Sequence, residues 1–178
     1  MKYDLADRTV AITGAAGGLG ADLAKALRAR GARIALLDLN PNAVCELADQ
    51  LGGDSVARGW RADVRDFDNL DQVMTEVAAH FERLDVVVAG AGIGSAIGPI
   101  TGMTHEEWER TIDVNLNGVW RTFKAALPHI AYQRGHLLGR DSLIWPQEDG
   151  LIWPRLDGGG CCCGGLIWSH FGDTPCWL

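Results

Sequence analysis

The stretch Val10-Ala11-Ile12-Thr13-Gly14-Ala15-Ala16-Gly17-Gly18-Leu19-Gly20 constrains the fold of this chain more than any other. Four residues of buried-strand character run into a glycine-rich turn, and Leu19 to Leu27 continues with the apolar spacing of an amphipathic helix. A strand, a glycine turn and a helix in that order form a cradle for phosphate. Gly14 permits the tight turn, Gly18 lets the backbone approach a pyrophosphate, Gly20 permits close helix packing, and the N–H groups at the helix start receive the negative charge.

The alternation continues down the chain. Arg33 to Asp38 reads as strand two, Pro41 introduces a helix that Gly52-Gly53 ends, and Val56 to Trp60 is a weaker third strand. Asp66 to Phe81 carries apolar residues on one helical face, and Leu84 to Ala89 is the most apolar strand, expected at the centre of the sheet. Thr104-His105-Glu106-Glu107 has capping-box spacing, predicting a helix that turns Trp108 and Ile112 inward. A helical stretch from Leu116 to Ala126 and a strand beginning at His136-Leu137-Leu138 follow. This order predicts an α/β fold, a Rossmann-like parallel sheet with flanking helices.

Three further features bear on what such a sheet would hold. Asp38 ends strand two, where a carboxylate accepts from both ribose hydroxyls of an adenosine and repels a 2′-phosphate, predicting NAD, with NADP disfavoured; the alternative is an aspartate that merely caps the next turn. Asp63-Val64 follows strand three and has two readings: a contact to the adenine amino group with Val64 against the ring, or an aspartate capping the helix that begins near Asp66. Ala89-Gly90-Ala91-Gly92 leaves the central strand almost without side chains, which suits a cofactor crossing its edge and equally suits tight helix packing.

The bulk properties exclude more than they identify. At 178 residues the chain suits one domain, and its net charge of −7 argues against nucleic acid or an anionic membrane surface as the main partner. No export-signal pattern and no 18-residue apolar run are evident, so a cytoplasmic location is expected. The five cysteines, Cys45, Cys161, Cys162, Cys163 and Cys176, form no disulfide framework. A zinc site from the late cysteines and His170 has poor geometry, and no metal is expected.

The assembled motifs resemble the short-chain dehydrogenase/reductase family over about residues 5–138. Thr13 to Gly20 meets the family's Thr-Gly-x-x-x-Gly-x-Gly in full, placing Thr13, Gly14, Gly18, Leu19 and Gly20 at the cofactor. The family's strand-two acid corresponds to Asp38, its Asp-Val pair to Asp63-Val64, and its Asn-Asn-Ala-Gly to Ala89-Gly90-Ala91-Gly92, with both asparagines replaced. Asp113-Val114-Asn115-Leu116-Asn117-Gly118 puts Asn115 where the family has its active-site asparagine, whose backbone helps retain a water of the proton relay. The bland alternative for Asn115 is a polar interruption of the helix, with Asn117-Gly118 giving a kink. The resemblance implies hydride transfer between an alcohol or hydroxysteroid-like substrate and its carbonyl form, and a homo-oligomer through the helices around 104–134.

Beyond Gly139 the pattern departs. Residues 1–138 read as an NAD(P)-binding Rossmann-type domain, C-terminally incomplete, and 139–178 as a Gly-, Trp- and Cys-rich tail, poorly ordered or packed on that domain. Leu-Ile-Trp recurs three times there, in company that forms no long helix or regular strand. The family's catalytic serine falls by position on Ser142. Where its Tyr-x-x-x-Lys belongs stand Arg155 and Gly159, and Tyr132 and Lys124 are the last tyrosine and lysine of the chain. Arginine stays charged and cannot serve as a base near neutral pH. The expectation is therefore an NAD-dependent oxidoreductase scaffold that is inactive or impaired. The alternatives are a non-catalytic nucleotide-binding or interaction protein, and a tail that arose from a shifted reading frame.

Overall fold

Every residue of β1 (Thr9–Thr13) is buried, as befits a strand covered on both faces. The computed structural model describes residues 4–94, 100–130, 136–139 and 166–169, residue 100 and the last four by backbone alone. From β1 the chain passes through α1 (Gly18–Arg28) to β2 (Arg33–Asp38), then α2 (Pro41–Gln50), β3 (Ala57–Arg61), α3 (Phe67–Phe81) and β4 (Val86–Ala89). α4 (His105–Ile112), α5 (Gly118–Ala126), β5 (His136–Gly139) and β6 (Leu166–Ser169) follow.

The sheet runs β3-β2-β1-β4-β5-β6, with the first five strands parallel and β6 antiparallel to β5. After β3 the chain crosses back over β1 to place β4 on its other side. The order therefore reverses between β1 and β4, and the crevice above their carboxyl ends is where such sheets bind ligands. The parallel α/β sheet agrees with the sequence reading. Leu166–Ser169 does not, because the tail supplies one short regular strand. The outer edge of β5 offers unpaired N–H and C=O groups, and an extended segment of almost any composition can pair with them.

Side-chain alternation divides the core into two layers. Ala11, Ala35, Leu37 and Val87 face Leu70, Val73, Met74, Val77 and Phe81 of α3, while Val10, Ile12, Ile34 and Leu36 face Ala24 of α1 and Val44 and Leu47 of α2. The helix starts follow local chemistry. Asn40 accepts from the Ala43 amide ahead of Pro41, Asp66 accepts from the Asn69 amide, and Thr104 and Glu107 form a complete capping box.

α4 and α5 are joined by a π-helical turn, Asp113–Asn117, so 105–126 is one helix with an inserted residue. The expected inward Trp108 is instead 45 % exposed. α4 packs through Thr111, and Trp108 lies about 60° round the helix from it at 3.6 residues per turn. At the opposite end of the sheet Asp85 is fully buried and holds Arg8, Arg83 and the Thr9 amide.

Candidate functional site

The crevice above β1 and β4 is organised by glycine at its floor. Gly14 leaves β1 with φ of +72°, and a Cβ there would lie 2.8 Å from the Ala91 Cα and 2.9 Å from the Gly90 carbonyl oxygen. The close approach of the two loops is thus possible only without a side chain. A Cβ on Gly20 would collide with the Gly14 carbonyl oxygen, whereas one on Gly18 would meet nothing within 4 Å. The first two glycines shape the turn, and the third keeps open the space in front of it.

Gly17 is the N-cap of α1 with no side chain to cap the helix, and the Ala21 amide is the first to find a carbonyl, that of Gly17. The amides of Gly18, Leu19 and Gly20 have no acceptor among the described residues. Three free N–H groups at the positive end of a helix, beside an open face at Gly18, have the chemistry to receive an anion. Leu19 is 63 % exposed at its rim. Thr13 acts behind the site, its buried hydroxyl oxygen accepting from the amides of Gly90 at 3.1 Å and Ala91 at 3.2 Å.

A cavity of about 250 Å³ continues from Gly14 along the carboxyl ends of β2 and β3, lined by Asp38, Leu39 and 62–65, with Ala91, Gly92, Ile93, Arg110 and Val114 opposite. It falls below the roughly 300–1,000 Å³ of pockets that enclose a whole ligand and suits one nucleoside. Asp38 Oδ2 accepts from the Ala16 amide at 3.0 Å and Oδ1 from the Asn40 amide at 3.1 Å. Of about four acceptor positions on a carboxylate, each oxygen keeps one. Asp38 both caps its own turn and retains two acceptors for vicinal hydroxyls.

Asp63 is not the cap of α3, which is Asp66. Its carboxylate is chelated by Arg65, Nε to Oδ1 at 3.0 Å and Nη2 to Oδ2 at 2.7 Å. The Arg65 guanidinium holds the Asp63 carboxyl below the usual carboxylate range against the opposing effect of partial burial, with Arg61 adding to it, and Asp63 raises Arg65 in return. Val64 is buried on the cavity wall, fixed from behind by Gly118, where a Cβ would come within 2.8 Å of Val64 Cγ2.

Asn115 lies in the π-turn and binds the backbone of Ile93 with both ends of its amide, at 2.9 Å each. It holds the loop after β4 at Ile93, two residues beyond the Ala91 amide that Thr13 holds.

Residues 8–140 match the family model described as short chain dehydrogenase. The chain belongs to the short-chain dehydrogenase family. A D-threitol dehydrogenase of Mycolicibacterium smegmatis is 39 % identical over 119 residues, covering 66 % of this chain and 45 % of that protein. The short-chain dehydrogenase/reductase, glucose/ribitol dehydrogenase, of Brucella melitensis superposes with a TM-score of 0.68 at 33 % identity, over 73 % of this chain and 54 % of its own. A short-chain type dehydrogenase/reductase of Mycobacterium ulcerans gives 0.66 at 32 %, over 71 % and 48 %. The chain spans about half the length of the curated relatives it matches.

In this member of the family the structure gathers Gly14, Asp38, Asp63, Val64, Ala91 and Gly92 around one cavity, with Gly18, Leu19 and Gly20 at the neighbouring helix start. Ala89 is buried at the end of β4. Two arginines near strand two face elsewhere: Arg33 donates to the carbonyls of Phe81 and Asp7, and Arg28 to those of Leu51 and Ala32. Ser142, Arg155 and Gly159, and the zinc candidates Cys161, Cys162, Cys163, His170 and Cys176, lie outside the described residues.

Sequence reasoning missed Arg65, Arg110 and Gly118. Arg65 stands next to a flagged motif, and its role depends on a side-chain turn that no spacing encodes. Gly118 enters the sequence reading only through the alternative kink at Asn117-Gly118, and its contact with Val64 joins residues far apart in the chain.

Proposed function

We propose that this chain binds NAD, with the pyrophosphate on the free amides of α1 and the adenosine in the cavity beside Asp38. The observation that carries this is the state of Asp38, whose two oxygens each retain one acceptor position after the Ala16 and Asn40 amides are bound. Adjacent ribose hydroxyls supply two donors to match. A 2′-phosphate would set a dianion against a carboxylate, and the cavity-wall arginine nearest in sequence, Arg65, is committed to Asp63. Val64 and Val114 offer the base an apolar wall.

Bound NAD supplies a hydride acceptor, and the reaction class is oxidation of a small alcohol or hydroxysteroid-like substrate to its carbonyl form, or the reverse. What the chain contributes is binding and orientation. Asn115 and Thr13 position the loop after β4, and Ser142 is the residue assigned to the substrate oxygen. Proton transfer is the weak step, because Arg155 cannot accept a proton near neutral pH and Gly159 offers no cation. We therefore infer a nucleotide-binding short-chain dehydrogenase of impaired turnover, carried by residues 1–138 with 139–178 as an appended segment. The α4–α5 surface, with exposed Trp108, Leu116, Trp120 and Leu127, is the proposed homo-oligomer contact in the cytoplasm.

Calorimetry with NAD and NADP, followed by an assay across secondary alcohols, tests the reading. Tighter binding of NAD with little or no turnover is the expected result. Preference for NADP would overturn the role given to Asp38, and brisk turnover would overturn that given to Arg155.

A further inference from the structure

Asp63 and Arg65 make a pair that the nucleotide reading does not require. Asp63 Oδ1 accepts from both the backbone amide and Nε of Arg65 at 3.0 Å, and Oδ2 accepts from Nη2 at 2.7 Å. Three of about four acceptor positions on the carboxylate are therefore filled by one residue, and a single one on Oδ2 remains. The main chain is fixed as well, since the Asp63 amide donates to Asn69 Oδ1 at 2.9 Å. The pair lies on the cavity wall, with the Asp63 side chain 17 % and the Arg65 side chain 44 % exposed, so a ligand can reach it.

A carboxylate free to turn presents lone pairs in many directions and selects weakly. One clamped by a bidentate fork has a fixed plane and a fixed vacancy, which a lysine, as a point charge, would not impose. We propose that Arg65 is a positioning residue for base recognition: it chelates Asp63 so that one acceptor position faces the bound base, selecting a purine with an exocyclic amino group over one with an exocyclic oxygen. The inference rests on the dinucleotide reading above. An amino N–H completes the coordination of Oδ2, whereas an exocyclic oxygen sets lone pairs against a carboxylate that Arg65 prevents from turning away.

The test is to titrate the 178-residue chain with NAD and with nicotinamide hypoxanthine dinucleotide, which carries oxygen in place of the adenine amino group, and to repeat both with Arg65→Ala and Arg65→Lys. The wild-type chain should bind NAD at least about tenfold more tightly than the analogue, since a site built to bond one polar group rejects its replacement. Arg65→Ala should bring the two affinities to within about threefold of one another, with Arg65→Lys between them, and unchanged circular dichroism would show that the fold is intact. Equal wild-type affinities, or an unchanged ratio when both affinities fall together in Arg65→Ala, would overturn this inference alone. Wild-type binding of neither dinucleotide would overturn it together with the nucleotide reading.

Discussion

The side-chain amide of Asn115 grips the main chain of Ile93 from two sides, Oδ1 accepting from its N–H and Nδ2 donating to its carbonyl, each at 2.9 Å. The contact joins the π-turn of the long helix to the loop leaving β4, and so ties a helix on one face of the sheet to the rim of the nucleotide crevice. At neutral pH an amide supplies both a donor and an acceptor in that geometry, whereas an ionised carboxylate supplies acceptors alone.

Asn115→Asp retains the acceptor but sets an anionic oxygen against the Ile93 carbonyl. At pH 7 it should destabilise the chain by about 1–3 kcal/mol, the cost of leaving a partly buried polar group opposed. A protonated carboxyl can donate, so the introduced Asp would have a raised pKa in the fold, and the deficit should shrink as pH falls through the carboxylate range. Urea midpoints at pH 7 and pH 4 measure this, and equal stability at pH 7 would show that the clamp is unimportant.

Gly14 and Gly18 should separate folding from binding. Gly14→Ala places a Cβ against Ala91 in a left-handed conformation and should cost about 1–3 kcal/mol of stability along with nucleotide affinity. Gly18→Ala adds a methyl to open space, so its melting temperature should match wild type while NAD affinity falls. Thermal melts paired with calorimetry would tell, and a fully functional Gly18→Ala would remove the pyrophosphate from that surface.

Asp38→Asn keeps one acceptor oxygen and discards the charge. Loss of a charge-assisted bond to a ribose hydroxyl, about 1.5–3 kcal/mol, predicts NAD weakened roughly ten- to a hundredfold, while NADP, freed of repulsion, weakens less or improves. The readout is the ratio of the two dissociation constants.

Asp85→Asn tests the far end of the sheet. Burial pushes the Asp85 carboxyl up, but hydrogen bonds from Arg83, the Thr9 amide and Arg8 outweigh it and hold the pKa below the usual range. A depressed folded pKa contributes stability that is fully present above the unfolded value, about 3.9, and lost as pH falls through the folded value. The variant should be less stable by about 3 kcal/mol at pH 7, toward the low end for a broken buried pair because both guanidiniums touch solvent. The gap should narrow below pH 4. Chemical denaturation across that range gives the answer, and a pH-independent gap would contradict the ionic account.

Trp120→Glu probes the exposed helix face. Trp120 is 59 % exposed, with the Lys124 ammonium 4.7 Å from its ring centre. If this face joins two copies, sedimentation should show the variant dissociating at concentrations where the wild type is associated. A wild-type monomer would dispose of the interface.

Much of the crevice was legible in the sequence because its parts are local. The run from Val10 to Gly20 needs only strand propensity, one left-handed turn and a helix start, all settled within a dozen residues. Asp38 was legible for the same reason, as the last residue of a short apolar strand. Trp108 shows where local reading fails: its helix was placed, but which face turns inward was set by the packing of Thr111 and Val114.

The sequence by itself determined an α/β alternation, a glycine-rich turn into a helix after β1 and an acid at the end of β2, since periodicity and turn chemistry act between near neighbours. The tertiary structure decided how these parts support one another. Thr13 reaches the amides of Gly90 and Ala91 only because β1 and β4 are adjacent, Gly118 sets Val64 only because the start of α5 packs against the loop after β3, and Asp63 turned to Arg65 rather than to a helix cap. Such partners are fixed by the fold's geometry, because a hydrogen bond or a methyl-sized gap carries no periodic trace in the chain.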